Sequence, residues 1–159
     1  MKIRMTINGI ETSLDVDPGE KLLDVLRRTG HMGVRKGCGS GDCGACAVLF
    51  NGRAMNSCLI FAPKADGADI VTAEGLATGD RLHPVQEAFL AEGAVQCGYC
   101  TPGMMISTVD LLSRNPDPTE EEIREGLSGN LCRCTGYVKQ VNAVKAAARA
   151  MRKRKDADA

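Results

Sequence analysis

The chain has 159 residues, room for one domain or two small ones with modest cores. Its 20 basic and 20 acidic side chains cancel, leaving no net charge to attract nucleic acid or an anionic membrane surface. An aromatic content of 3% with no Trp argues against a base-stacking platform, and no run of about 20 apolar residues is available to span a membrane.

The first nine residues, Met1 to Gly9, lack the long apolar stretch of a secretory signal, so the expected compartment is the cytoplasm. Structural disulfides are disfavoured there, and clustered cysteines read as metal ligands or redox groups. Lys2 to Ile7 and Ile10 to Val16 meet across Asn8-Gly9, a strong two-residue hairpin signal. In the second strand Ile10, Leu14 and Val16 are expected on one face, with Thr12 as its polar interruption. Lys21 to Thr29 carries Leu22, Leu23, Val25 and Leu26 at helical spacing, and Gly30 is a natural stop. A second hairpin is expected from Ala47 to Phe50 and Arg53 to Cys58 around Asn51-Gly52, followed by a short strand over Asp69 to Thr72. Hairpin, helix, loop and further strands fit an α+β sheet with a helix packed across it.

From about residue 73 the chain reads as helices. Pro84 suits a first helical position, before the stripe of Val85, Ala88 and Phe89 that ends at Gly93. Thr101-Pro102 reads as an N-cap and N1 opening a helix through Leu112. Thr119 and Glu122 form a capping-box pattern ahead of Ile123 and Leu127. Val138, Val141, Val144, Ala148 and Met151 mark a last helix, and Arg152 to Ala159 reads as a solvated charged tail. Four helices suggest a bundle. The boundary is expected between Ala73 and Leu82, giving domains of residues 1–75 and 80–155.

The eight cysteines fall into two groups of four, Cys38, Cys43, Cys46 and Cys58, then Cys97, Cys100, Cys132 and Cys134. Four thiolates are the ligand set of one [2Fe–2S] cluster. The first group has the C-x4-C-x2-C spacing of plant-type ferredoxins within a loop rich in glycine, which lets three thiolates curl onto one cluster and exposes backbone N–H groups to the sulfurs. Cys58 is expected to arrive from the end of the second hairpin. Zinc also takes four thiolates, but this loop and spacing fit iron–sulfur better. In the second group C-x2-C and C-x-C each precede a helix, so two helix N-termini would face one anionic cluster. Alone, C-x2-C also fits zinc or a dithiol. An isolated Gln96 reads as a surface residue, Tyr99 and Tyr137 as packing around the cysteine loops, and His31 and His83 as structural or surface residues. Two clusters in one small chain suggest an electron wire.

Gly37 to Cys46, Gln96 to Gly103 and Gly129 to Tyr137 together resemble the iron–sulfur subunit of the molybdenum hydroxylases, the xanthine dehydrogenase and aldehyde oxidoreductase family. The resemblance covers all but the charged tail and implies an N-terminal β-grasp ferredoxin domain followed by a four-helix bundle. It implies that Cys38, Cys43, Cys46 and Cys58 hold a cluster near the flavin, and that Cys97, Cys100, Cys132 and Cys134 hold one near the molybdopterin. Gln96 and Cys134 match family positions that approach the pterin's amino edge, which raises Gln96 to a cofactor contact. Molybdopterin-molybdenum and FAD are implied on a large and a medium partner subunit, in a dimer of heterotrimers. This chain has no dinucleotide fingerprint of its own, and no residue of it is expected to act as acid, base or nucleophile. On family frequency the substrate is a purine or an aldehyde. The alternatives are a free-standing two-cluster ferredoxin and a subunit of an aryl-CoA reductase of the same family.

Overall fold

A computed structural model describes residues 1–157. Its strands are β1 (Lys2–Ile7), β2 (Ile10–Asp15), β3 (Ala47–Phe50), β4 (Arg53–Asn56) and β5 (Asp69–Val71). Its helices are α1 (Leu22–Arg28), α2 (Pro84–Ala91), α3 (Thr101–Arg114), α4 (Glu120–Gly126) and α5 (Val138–Ala157). The fold class is α+β, as expected.

Both hairpins turn on a local need for positive φ, met by Asn8 (51°) with Gly9 (79°) and by Asn51 (48°) with Gly52 (80°). These pairs produce antiparallel β1–β2 and β3–β4 ladders. Strand β5 then enters between them, parallel to β1 and antiparallel to β3, giving the order β2-β1-β5-β3-β4. Ile3, Met5 and Ile7 alternate inward along β1 and meet Leu22, Leu23, Val25 and Leu26 of α1, with Val48 and Ile70, in one core. Ile10, Thr12 and Leu14 share one face, as expected, opposite Ile7, Met5 and Ile3, although Ile10 at the hairpin end is 69% exposed. One expectation fails here. The second hairpin stops at Asn56, and Cys58 sits on a 3-10 turn over Ser57–Leu59.

A second core joins Val85 and Phe89 of α2, Met104 and Leu111 of α3, Ile123 of α4, and Val141 and Val144 of α5. α2 touches α3 and α5, and α4 touches the same two helices. Thr119 and Glu122 form the expected capping box of α4. His83 is structural and caps α2. Its Nδ1 accepts from Val85 N–H at 3.2 Å, while Gln86 Oε1 accepts from His83 N–H at 2.9 Å. The cap of α3 lies one residue earlier than expected, at Cys100, and Thr101 Oγ1 is buried without a partner among the described residues. Val138 is 59% exposed, while Gln140 from the same first turn of α5 is fully buried. The residues read as a tail continue α5 as far as Ala157, tied down by Arg152 to Asp117 and Arg154 to Glu87, and Asp158 and Ala159 lie outside the described residues.

Strand β3 links the first core to the helices through a small third cluster. Val48 points into the first, while Ala47 and Leu49 point the other way onto Ile106 of α3. Arg53 on β4 adds an ion pair to the largely buried Asp110 of α3 at 3.0 Å, and Arg114 binds the other carboxylate oxygen of Asp110 at 3.0 Å. The tightest approach is backbone on backbone. A Cβ on Gly103 would stand 2.2 Å from Gly44 O, and one on Gly44, whose φ is +70°, would stand 2.3 Å from Gly129 O. Neither neighbour is a side chain that can swing away. Gly103→Ala is therefore expected to cost about 1–3 kcal/mol of stability, seen as a lower thermal midpoint; an unchanged midpoint would show that this contact is slack.

Candidate metal centres

The first cysteine group is built by one loop and one turn. The 38–43 loop folds back on Cys38, whose sulfur accepts backbone N–H groups from Ser40 at 3.4 Å, Asp42 at 3.3 Å and Cys43 at 3.4 Å. Cys38 N–H returns a bond to Cys43 Sγ at 3.3 Å. Hydrogen bonds from Ser40, then from Cys43, hold the exposed Cys38 thiol down at about 6. Cys46 and Cys58 are buried beneath. Burial, then the neighbouring Cys46 thiol, pushes Cys58 up to about 11. Asn56 ties the β4 end to this loop by donating to Gly41 O at 2.9 Å.

The second group is built by the segment before α3 and the segment before α5. Cys97 Sγ lies 3.5 Å from Cys134 Sγ, and both residues are exposed. Tyr99 N–H donates to Cys97 Sγ at 3.5 Å and lowers that thiol's pKa, while the neighbouring Cys97 raises Cys134. Cys100 and Cys132 form the inner pair. Burial, then Cys132, pushes Cys100 up to about 12. Burial also acts on Cys132, but hydrogen bonds led by Thr135 outweigh it and leave its pKa lowered.

All eight predicted cysteines are thus brought together in their two groups of four, and within each group the sulfurs stand in pairs: 38 with 43, 46 with 58, 97 with 134, 100 with 132. Two irons that each take two thiolates require that pairing. Backbone N–H groups aimed at Cys38 and Cys97 suit sulfurs that carry negative charge. Four thiolates in each group therefore fit a [2Fe–2S] cluster.

The groups adjoin. Leu131 N–H donates to Cys43 O at 2.9 Å, one residue before Cys132. Tyr99 Oη donates to Lys36 O at 2.6 Å, and Arg35 stacks 5.4 Å over the Tyr99 ring. A cavity of about 240 Å³ is lined by Cys38 and Cys43 on one side and by Cys97, Cys100, Cys132 and Cys134 on the other, with Arg133 at its wall. Gln96 is exposed and precedes Cys97 in the chain.

Two family models divide the chain: a "2Fe-2S iron-sulfur cluster binding domain" matches residues 5–76, and a "[2Fe-2S] binding domain" matches residues 72–145. The nicotinate dehydrogenase small FeS subunit of Eubacterium barkeri is 49% identical over 138 residues, covering 86% of this chain and 88% of that one. The xanthine dehydrogenase iron-sulfur-binding subunit of Escherichia coli O157:H7 is 49% identical over 144 residues, covering 89% and 91%. The chain belongs to the iron–sulfur subunits of the molybdenum hydroxylase family. The crystal structure of quinoline 2-oxidoreductase from Pseudomonas putida 86 superposes on it with a TM-score of 0.92 at 44% identity, over 96% of each chain. Chains of this family are electron-transfer subunits of oxidoreductases, and the two matched domains correspond to two [2Fe–2S] clusters.

Sequence reasoning placed Tyr137 at the cysteine loops but missed Thr135 and Gln140 around Cys132. Tyr137 Oη accepts Cys132 N–H at 2.9 Å, Thr135 Oγ1 stands 3.1 Å from Cys132 Sγ, and Gln140 Nε2 stands 3.9 Å from the same sulfur. Gln140 was legible in principle as a polar residue on the buried stripe of α5.

The thiol pKa values order the chemistry of the metal-free chain, because a thiol becomes nucleophilic as pH rises through its pKa. Iodoacetamide is expected to alkylate Cys38 first, at a rate that climbs through about pH 6 and then levels, while Cys58 and Cys100 stay unreactive at neutral pH. Peptide mass spectrometry against time reads the order, and equal labelling of the three at pH 7 would contradict it.

Proposed function

We propose that this chain carries electrons one at a time between a molybdopterin centre on a large partner subunit and FAD on a medium partner subunit. The observation that supports this most directly is the adjacency of the two cysteine groups, bridged by the 2.9 Å bond from Leu131 N–H to Cys43 O. When bound, each [2Fe–2S] cluster accepts and releases a single electron. The protein supplies everything else. Backbone N–H groups at Cys38 and Cys97 stabilise charge on sulfur, burial of Cys46 and Cys58 and partial burial of Cys100 limit solvent access, and the hydrogen bond from Leu131 N–H to Cys43 O connects the groups through main chain.

The ligand assignment follows the pairing: Cys38, Cys43, Cys46 and Cys58 for one cluster, Cys97, Cys100, Cys132 and Cys134 for the other. We place the second group toward the molybdopterin, with Gln96 and Cys134 as contacts to its pterin; both are exposed, and Cys97, which follows Gln96, lies 3.5 Å from Cys134. The first group then faces the flavin. In architectural terms we read residues 1–75 as a β-grasp domain and residues 80–155 as a four-helix bundle, supported by the mixed sheet with α1 across it and by the ring of contacts among α2, α3, α5 and α4. The holoenzyme is read as a dimer of heterotrimers, in the cytoplasm. No helix among the described residues is long and apolar enough to cross a membrane. The substrate is read as a purine or related N-heterocycle, or an aldehyde; the relatives described above are named for nicotinate, xanthine and quinoline.

Affinity purification from the native host tests the reading. A molybdopterin-binding chain and a flavin-binding chain are expected in equal amount with this one, whereas recovery of a brown protein alone would favour a free-standing two-cluster carrier. Cys134→Ser is expected to cut turnover with artificial acceptors at least tenfold and to alter only one of two electron paramagnetic resonance (EPR) signals of the reduced protein. Full turnover with both signals intact would remove Cys134 from the ligand set.

A further inference from the structure

Gln140 is a fully buried glutamine in α5, where Val141, Val144 and Ala147 are buried in the second core. An amide in such a place costs stability unless every polar group finds a partner. Each does. Nε2 donates to Ala94 O at 3.2 Å and reaches Cys132 Sγ at 3.9 Å, and Oε1 accepts from Thr135 Oγ1 at 2.8 Å. The first bond ties α5 to the turn after α2, which is structural. The other two converge on a cysteine sulfur, directly and through Thr135, whose Oγ1 lies 3.1 Å from it. An apolar residue of similar volume would serve the packing alone.

We propose that Gln140 is a positioning residue for the second cysteine group: from inside the core it donates an amide N–H to Cys132 Sγ and so raises the reduction potential of the cluster this sulfur holds. The inference rests on the ligand assignment above. A donor to a cluster sulfur stabilises the reduced, more negative state over the oxidised one. The Thr135 hydroxyl has one proton, for which Gln140 Oε1 at 2.8 Å and Cys132 Sγ at 3.1 Å compete. Removing Gln140 therefore has two opposite effects, since the amide donor is lost while the freed hydroxyl can turn to the sulfur. In a Thr135→Val background only the first effect remains.

The test is a redox titration of the loaded full-length chain followed by EPR, comparing Thr135→Val with Thr135→Val/Gln140→Met. The one-electron reduction constant of the second cluster is expected to fall about tenfold, or ~59 mV for a one-electron couple, with the first cluster unmoved. In the unaltered background Gln140→Met alone should give a smaller fall. An amide that only braces α5 would lower thermal stability and leave the potential where it was, and that result overturns the proposal. Should the variants fail to load, a crystal structure of the unaltered loaded chain decides: Gln140 Nε2 within hydrogen-bonding reach of Cys132 Sγ supports the inference, and a wider separation overturns it. A different failure marks the ligand assignment instead. If Cys132→Ser leaves both EPR signals of the otherwise unaltered chain intact, Cys132 holds no cluster, whatever Gln140 does.

Discussion

Three backbone segments meet at Gly44 in close contact, and the rest of the molecule is arranged around that contact. Gly103, in the first turn of α3, lies against the Gly44 carbonyl, while Gly129 and Asn130 close over the Gly44 Cα and Asn130 Nδ2 donates to the same carbonyl at 3.3 Å. Each segment carries cysteines a few residues away: Cys43 and Cys46 beside Gly44, Cys100 before Gly103, Cys132 after Asn130. Packing at this density transmits position with little slack. The distance between the two cysteine groups is thereby set by main chain rather than by flexible side chains, as electron transfer between fixed centres requires.

Within each group the same logic operates on charge. Cys38 and Cys97 sit at the surface under backbone N–H groups, whereas Cys58 and Cys100 lie in apolar surroundings that favour the protonated thiol. Occupation by a metal cluster must displace the protons of the buried members, so affinity for the cluster is coupled to pH and to the packing around them. Solvated and buried ligands together make each site asymmetric, with one pair of sulfurs open and the other enclosed at the first group.

Local chemistry makes much of this readable from the residues alone. Asn8-Gly9 and Asn51-Gly52 declare their hairpins because positive φ at both central positions is a property of the dipeptide. The cysteine spacings declare the two groups because loop closure around a cluster is also local. What escapes is decided at longer range. Cys58 leaves the strand early because the chain must turn inward to bring its thiol under Cys46, and Ser57 Oγ, donating to Cys46 O at 2.8 Å, secures that turn. The helical phase of α5 departs from its apolar pattern at the start: Val138 faces solvent and Gln140 faces the core, because the polar contacts of Gln140 outweigh the apolar preference of Val138. The last residues stay helical because Asp117 and Glu87, distant in sequence, offer carboxylates to Arg152 and Arg154.

Strand β3 serves two buried clusters with its two faces, Val48 inward to α1 and Leu49 outward to α3. A strand common to both halves denies either half a complete hydrophobic interior when the other melts. The border near residue 75 is thus one of sequence family, not of cooperativity, and the chain should lose structure in a single transition. A proteolytic nick in the connecting segment would leave the pieces associated rather than release two stable fragments.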